Sequence, residues 1–140
     1  LKKLSHHFET EVKFSEADPL GIVWHGHFIR YFEDGREAFG KEYNLKYLDF
    51  YRNNIVVPIV RVNCEYKRIL RYGHQIRIET TYHDTPAAKL LFDYNIYDIA
   101  TNEKVASGNS TQVFMHRDNL ELMLTLPEYM IQWKKKWLNN

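Results

Sequence analysis

Asp18, His25 and His27 lie close together in the stretch SEADPLGIVWHGHFIRYFEDGR, residues 15–36. A carboxylate beside two imidazoles is a set that acid–base or nucleophilic chemistry uses. Pro19 and Gly21 mark a turn, which puts Asp18 at a bend where its carboxylate can face a cleft. The same bend supports a plainer role, an aspartate bonding its own backbone. Past His27 the period changes. Phe28, Phe32, Gly35 and Phe39 form one helical stripe, and Arg30, Asp34, Glu37 and Lys41 repeat the spacing on another face. A helix therefore starts near His25 to His27. Its first N–H groups lack intrahelical partners and carry the positive end of the helix dipole, so they suit a developing negative charge.

The elements that must position these groups follow in order. Phe8 to Phe14 alternates as a half-buried strand, with His6 and His7 as its flank. The helix is expected to run to about Tyr43 and stop at Asn44, with Gly35 letting a sheet approach closely. Leu45 to Arg52 reads as a short helical turn before Pro58. Four strands are expected next, at residues 59–67, 76–83, 89–99 and 104–116, the first two of them one-sided. On the last, Ala106, Gly108, Ser110, Gln112 and Phe114 share one face, a small and polar surface suited to close packing. From Pro127, Met130, Trp133 and Trp137 fall on one stripe of a C-terminal helix, read as a cap on the domain with Lys134 to Lys136 largely off the stripe. One strand, a long helix and four strands with short turns define an α+β layer, an antiparallel five-stranded sheet curled around one long central helix.

Composition narrows the function classes. The 140 residues fit one domain, 1–140, and a formal net charge of +1 argues against nucleic acid as the main partner. The single cysteine, Cys64, excludes an internal disulfide framework and suits a reducing compartment. No apolar run reaches the roughly 18 residues of a membrane span, and the N-terminus has no signal-peptide core, so a cytoplasmic protein is expected.

The stretch FSEADPLGIVWHGHFIRYFEDGREAF, residues 14–39, resembles the signature of hotdog-fold acyl-CoA thioesterases of the 4-hydroxybenzoyl-CoA thioesterase type. Asp18, Gly21, Ile22, Val23, Trp24 and His25 match that pattern in register, and the likeness continues weakly through YKRILRYGHQIRIET, residues 66–80. Ala17 stands where the family often has Thr or Cys, His27 where an Asn is common, and His74 where an acid often follows the glycine. The resemblance implies a hotdog fold and thioester hydrolysis, with Asp18 acting on the thioester as nucleophile or general base. It also implies His25 and Gly26 polarising the carbonyl through backbone N–H groups, Trp24 against the substrate, and no metal or cofactor. Arg68, Arg71 and Lys67 are candidates for the coenzyme A phosphates. Glu33 and Glu37 are alternative acids, with ion pairs to Arg30, Arg36 or Lys41 as their plainer role. The partners implied are acyl-CoA or an acyl carrier protein and further copies of the chain, as a dimer or tetramer with the site between subunits. A hydratase or dehydratase of acyl thioesters and a non-catalytic acyl-binding module are the rival readings.

Overall fold

The computed structural model describes residues 3–138. Its strands are β1 (Lys3–Glu11), β2 (Ile55–Val56), β3 (Ile59–Tyr66), β4 (Gln75–His83), β5 (Lys89–Asp98), β6 (Glu103–Val113) and β7 (Met115–His116). The helices are α1 (His27–Tyr43), α2 (Tyr47–Arg52) and α3 (Glu128–Leu138). Five strands form an antiparallel sheet in the order β1-β4-β5-β6-β3, and β2 pairs with β7 in a small second sheet. This is the α+β arrangement of a sheet around one long helix.

Period-two alternation sends one residue set of each strand toward α1. Phe8, Ile78, Ile96, Ala106 and Tyr66 lie in one row across the five strands, and His6, Thr80, Tyr94, Gly108 and Cys64 in the next. Against these rows α1 buries Phe28, Tyr31, Phe32, Gly35 and Phe39. Phe32 stacks on Tyr94 with ring centroids 4.6 Å apart. The helix ends at Tyr43, where Asn44 adopts the left-handed conformation at φ 57°.

Two glycines set the closeness of the layers. A Cβ on Gly35 would come within 2.5 Å of Thr80 Oγ1 and 2.6 Å of Ile78 Cγ2, so the helix backbone rides directly on β4. A Cβ on Gly108 would overlap the Asn63 carbonyl oxygen and the Phe32 ring. Since a backbone carbonyl of the β3 pairing cannot swing aside as a side chain can, Gly108→Ala is expected to cost about 1–3 kcal/mol. Urea unfolding checks this, and an unchanged midpoint would mean that β3 parts from β6 without penalty.

Several elements depart from the sequence expectations. The first strand spans Lys3–Glu11 and not Phe8 to Phe14, so His6 and His7 lie inside it. The chain leaves the sheet at buried Val12 because Glu16 turns back and accepts the Lys13 N–H at 2.7 Å, closing a short 3-10 turn over Phe14–Glu16. Phe14 is consequently exposed. The last strand breaks at Phe114, which is fully buried beside Phe50, and β7 then changes sheet to pair with β2. Strand β3 is not one-sided. It lies at the sheet edge with Val60, Val62 and Tyr66 exposed, and an irregularity between Ile59 and Arg61 turns Val60 outward.

Helix α3 packs on the domain as a cap. Met130 and Trp133 are buried, and Trp133 meets the Tyr82 ring at 4.9 Å. Lys134, expected off the packed stripe, is buried, its ammonium 2.7 Å from Asp84 Oδ1 and donating to the Thr85 carbonyl at 2.7 Å. A cation at this depth is tolerated because both contacts replace its hydration.

Candidate active site

The loop between the 3-10 turn and α1 is held by a buried acid that the sequence reading passed over. Glu16 is 2% exposed. Its Oε1 accepts from Lys13 N and, at 2.9 Å, from the Tyr31 hydroxyl, while Oε2 pairs with Arg30. Burial pushes the Tyr31 pKa up to about 12, so this hydroxyl stays a donor to Glu16 through neutral pH. The Glu16 carbonyl also accepts the Trp24 N–H at 3.2 Å. Arg30, expected to pair along its own helix, thus reaches back to the loop. Lys41 does sit near Glu37, at 3.9 Å.

Asp18 occupies the turn that Pro19 and Gly21 mark. Its backbone N–H donates to the Ile22 carbonyl at 2.8 Å, and its carbonyl accepts from Gly21 N at 2.9 Å, with Gly21 at φ 80°. Oδ1 accepts from Leu20 N at 2.8 Å and Ile22 N at 3.4 Å. Oδ2 has no hydrogen-bond partner among the described residues. The plain reading of the turn aspartate therefore holds for one oxygen only, and the other is left for a ligand or water.

The start of α1 supplies donors beside it. His27 N donates to the Trp24 carbonyl at 3.0 Å, and Phe28 N to the His25 carbonyl at 3.2 Å. The N–H groups of His25 and Gly26 have no acceptor among the described residues. Each belongs to a peptide unit whose carbonyl is already held: that of Trp24 by His27, and that of His25 by Phe28 and by the Tyr66 hydroxyl at 2.9 Å. Two fixed peptide planes with unused N–H groups form an anion-accepting arrangement that needs no reorganisation when charge develops. A Cβ on Gly26 would overlap the Trp24 ring, so a larger residue there would expel the indole.

Asp18, Trp24, His25 and Arg68 of the expected set line one cleft of about 320 Å³, together with Phe28, Tyr66, Lys67 and Ile69. Gly26 underlies the Trp24 ring. Arg71 lies outside the lining, its guanidinium 3.8 Å from the Cβ position of Gly21 and without a carboxylate partner among the described residues. Arg68 pairs with Glu103 at 2.6 Å, and Lys67 stands 3.5 Å from Glu65. The His25 ring contacts Trp24 and Tyr66, with centroids at 5.1 and 6.2 Å. Glu33 and Glu37 line a different cavity. Burial pushes the Cys64 thiol up, which leaves it a poor source of thiolate. Tyr66, with Phe28 and Ile69, lines the cleft without having been expected there, because strand alternation assigns Tyr66 a face but not a neighbour. Among the described residues no three His, Cys, Asp or Glu side chains are grouped to hold a metal, and no helix is long and apolar enough to cross a membrane.

The chain belongs to the thioesterase-like superfamily, whose model matches residues 12–134, and it is a hotdog-fold thioester hydrolase. The Bacillus subtilis protein named "Putative acyl-CoA thioesterase YneP" is 31% identical over 102 residues, covering 73% of this chain and 74% of that one. Among solved structures, the DHNA-CoA thioesterase from Staphylococcus aureus superposes with a TM-score of 0.86 at 20% identity, over 96% of this chain and 89% of that one. An aspartate-to-asparagine variant of 4-hydroxybenzoyl-CoA thioesterase complexed with 4-hydroxybenzoyl-CoA gives 0.78 at 19% identity, over 92% and 97%.

Proposed function

We propose that Asp18 carries the hydrolysis of acyl-CoA thioesters by this acyl-CoA thioesterase, with the His25 and Gly26 N–H groups polarising the thioester carbonyl. One observation carries the reading: Asp18 is fixed through Oδ1 with Oδ2 unpartnered, in a cleft that His25 also lines, and the N–H groups of His25 and of the next residue, Gly26, at the α1 start are unused. Oδ2 either attacks the carbonyl carbon, giving a mixed anhydride that water then cleaves, or takes a proton from water as that water attacks. In both routes the C–S bond breaks and the electron pair leaves with the sulfur. A thiol of pKa near 8.5 departs without a strong general acid. Trp24 and Tyr66 wall the cleft. Arg71, free of a carboxylate partner, is the stronger candidate for a coenzyme A phosphate, with Arg68 and Lys67 beside it. The shared thioester chemistry extends the substrate class to acyl carrier protein.

The Tyr66 hydroxyl holds the peptide unit that bears the Gly26 N–H. Tyr66→Phe is therefore expected to lower kcat about tenfold, the value of one such hydrogen bond, with KM little changed. Steady-state thiol release measures it, and an unchanged kcat would remove Tyr66 from the positioning of that donor.

The reading includes a second copy. Strand β3 offers eight residues of unpaired edge with apolar side chains exposed, a surface that pairing with a second β3 would satisfy. Antiparallel pairing centred on Val62 and Asn63 sets Tyr66 of one copy opposite Ile59 of the other, so the Asp18 cleft lies between subunits of a dimer or tetramer. Light scattering is expected to give at least twice 16.9 kDa, and a mass of 16.9 kDa would contradict the paired edge. We read the chain as one cytoplasmic domain, in keeping with its single thiol. The test of the whole reading is thiol release from a panel of short, long and aromatic acyl-CoAs. Binding of acyl-CoA with no release from any member would favour the acyl-binding module instead.

A further inference from the structure

Trp24 is 52% exposed, yet its indole is held on three sides. Its Cε3, Cζ3 and Cη2 atoms overlap the place where a Cβ on Gly26 would stand, so the ring rests directly on the glycine backbone. The His25 ring packs beside it with centroids 5.1 Å apart, and the His27 ring meets it near a right angle at 5.5 Å. The Trp24 backbone is fixed as well, its N–H donating to the Glu16 carbonyl at 3.2 Å and its carbonyl accepting from His27 N at 3.0 Å. A ring anchored in this way has little rotamer freedom left to lose when a ligand binds. The same contacts orient it. Nε1 lies across the indole from Cε3 and Cζ3, so the edge that touches Gly26 leaves the N–H directed away from the glycine. That N–H has no acceptor among the described residues, whereas Trp133 Nε1 donates to the Tyr43 carbonyl at 2.5 Å. Of the other side-chain donors lining the Asp18 cleft, the Tyr66 hydroxyl is spent on the His25 carbonyl, Arg68 faces Glu103 and Lys67 faces Glu65. The His25 imidazole can donate from one nitrogen and accept at the other, but an indole only donates. The cleft wall therefore carries a fixed, neutral N–H that lacks an acceptor.

We propose that the Trp24 Nε1–H donates to the amide carbonyl nearest the sulfur in the pantetheine arm of coenzyme A, and that this bond makes the site select thioesters of amide-bearing thiols over those of plain alkyl thiols. The inference rests on the reading of Asp18 and the His25 and Gly26 donors given above. In that reading the thioester carbonyl meets the N–H groups of residues 25 and 26. The next acceptor along the leaving group is that amide oxygen, separated from the sulfur by two methylenes and a nitrogen, a span that the side chain of the adjacent residue 24 covers. An indole N–H satisfies it without a charge, so no ion pair has to be broken for the arm to bind. When the amide is absent the half-exposed N–H returns to water. Selection is therefore that of one ordinary hydrogen bond and not the strong rejection shown by a buried site.

The test is kcat/KM for thiol release from three thioesters of one acyl group, the best of the acyl-CoA panel. They are the acyl-CoA, the N-acetylcysteamine thioester, which keeps that amide and little else of the arm, and the pentyl thioester, in which carbon replaces the amide. The two small thiols differ as leaving groups, but that difference enters native protein and variant alike. The quantity read is the N-acetylcysteamine-to-pentyl ratio of the native protein divided by the same ratio in Trp24→Phe, which keeps an aromatic ring and drops the N–H. A quotient of about five- to tenfold is expected. Damage to the wall alone would lower both thioesters together, so a quotient near one would overturn the proposal. Trp24→Met, which also lacks a donor, is expected to give the same quotient and guards against a fault of fold in either variant. A loss in Trp24→Phe seen for acyl-CoA but not for the N-acetylcysteamine thioester would overturn the assignment to this amide. Should no thioester be hydrolysed, the thioesterase reading fails by itself. Calorimetric binding of the two small thioesters to the native protein and Trp24→Phe then decides: a preference for the amide-bearing ligand lost in the variant supports the proposal, and equal binding overturns it.

Discussion

Glu16→Ala is expected to lower stability by about 3 kcal/mol and to reduce activity beyond what the lost stability explains. Glu16 sits at the back of the loop, away from the cleft lining, and its loss strands the buried Tyr31 hydroxyl and the Lys13 N–H, each worth about 1–3 kcal/mol when left unsatisfied. Removing one member of a buried ion pair costs about 3–5 kcal/mol in general, and the lower end applies here because the Arg30 side chain is 42% exposed and can rehydrate. For a chain of this size the melting temperature should fall by about 10 °C. The effect on activity has a separate cause. The Glu16 side chain ties the loop to α1 through Arg30 and Tyr31 and so steadies its own backbone carbonyl, which accepts the Trp24 N–H and stays in the alanine variant. Without the side-chain ties that carbonyl is less firmly placed, and the approach to the His25 and Gly26 donors loosens. Glu16→Gln keeps acceptors for Lys13 and Tyr31 and should recover much of the stability but little of the tie to Arg30. Urea unfolding together with kcat at a temperature where both variants are folded checks the two parts. A Glu16→Ala protein as stable as the native one would show that the loop is held elsewhere.

Much of the fold was legible in the residues. The stripe of Phe28, Phe32, Gly35 and Phe39 gave α1 its length and buried face, and Asn44 its end, because helix periodicity and a left-handed stop are local properties. Alternation in β4 and β5 was equally readable, since both are central strands covered by α1. The misses share a physical origin in tertiary contacts. Phe14 continues the alternation of the first strand, yet the 3-10 turn closed by Glu16 takes it out of the sheet. His116 continues β6 on paper, yet burial of Phe114 beside Phe50 redirects the chain to β2. The alternation of β3 is real, but an edge position leaves Val62 and Tyr66 without the cover that alternation predicts. Lys134 reads as a solvated charge until Asp84, fifty residues earlier in sequence, comes within 2.7 Å.

The same division applies to the site. Asp18, Trp24, His25 and the start of α1 are neighbours in sequence, so their meeting in one cleft needed only the loop and the helix. Glu16 stood inside the motif but carried no signal of burial, because its partner Tyr31 lies 15 residues on, across the loop, with Arg30 just before it. Tyr66 comes from a separate element, and only the fold brings it to the cleft, so its place there could not be read from spacing.

The most direct test of the account is kcat for thiol release by Asp18→Asn on the best substrate of the acyl-CoA panel. Asparagine keeps an Oδ1 acceptor for the Leu20 and Ile22 N–H groups, so the turn should survive and circular dichroism should match the native protein. The variant loses the anionic oxygen. A fall of about 10²–10⁴-fold is expected if Asp18 works as a general base, and a larger one if it attacks the carbonyl itself. Equal turnover by the two folded proteins would contradict the central claim, remove Asp18 from the chemistry and leave His25, Glu33 and Glu37 as the groups to vary next.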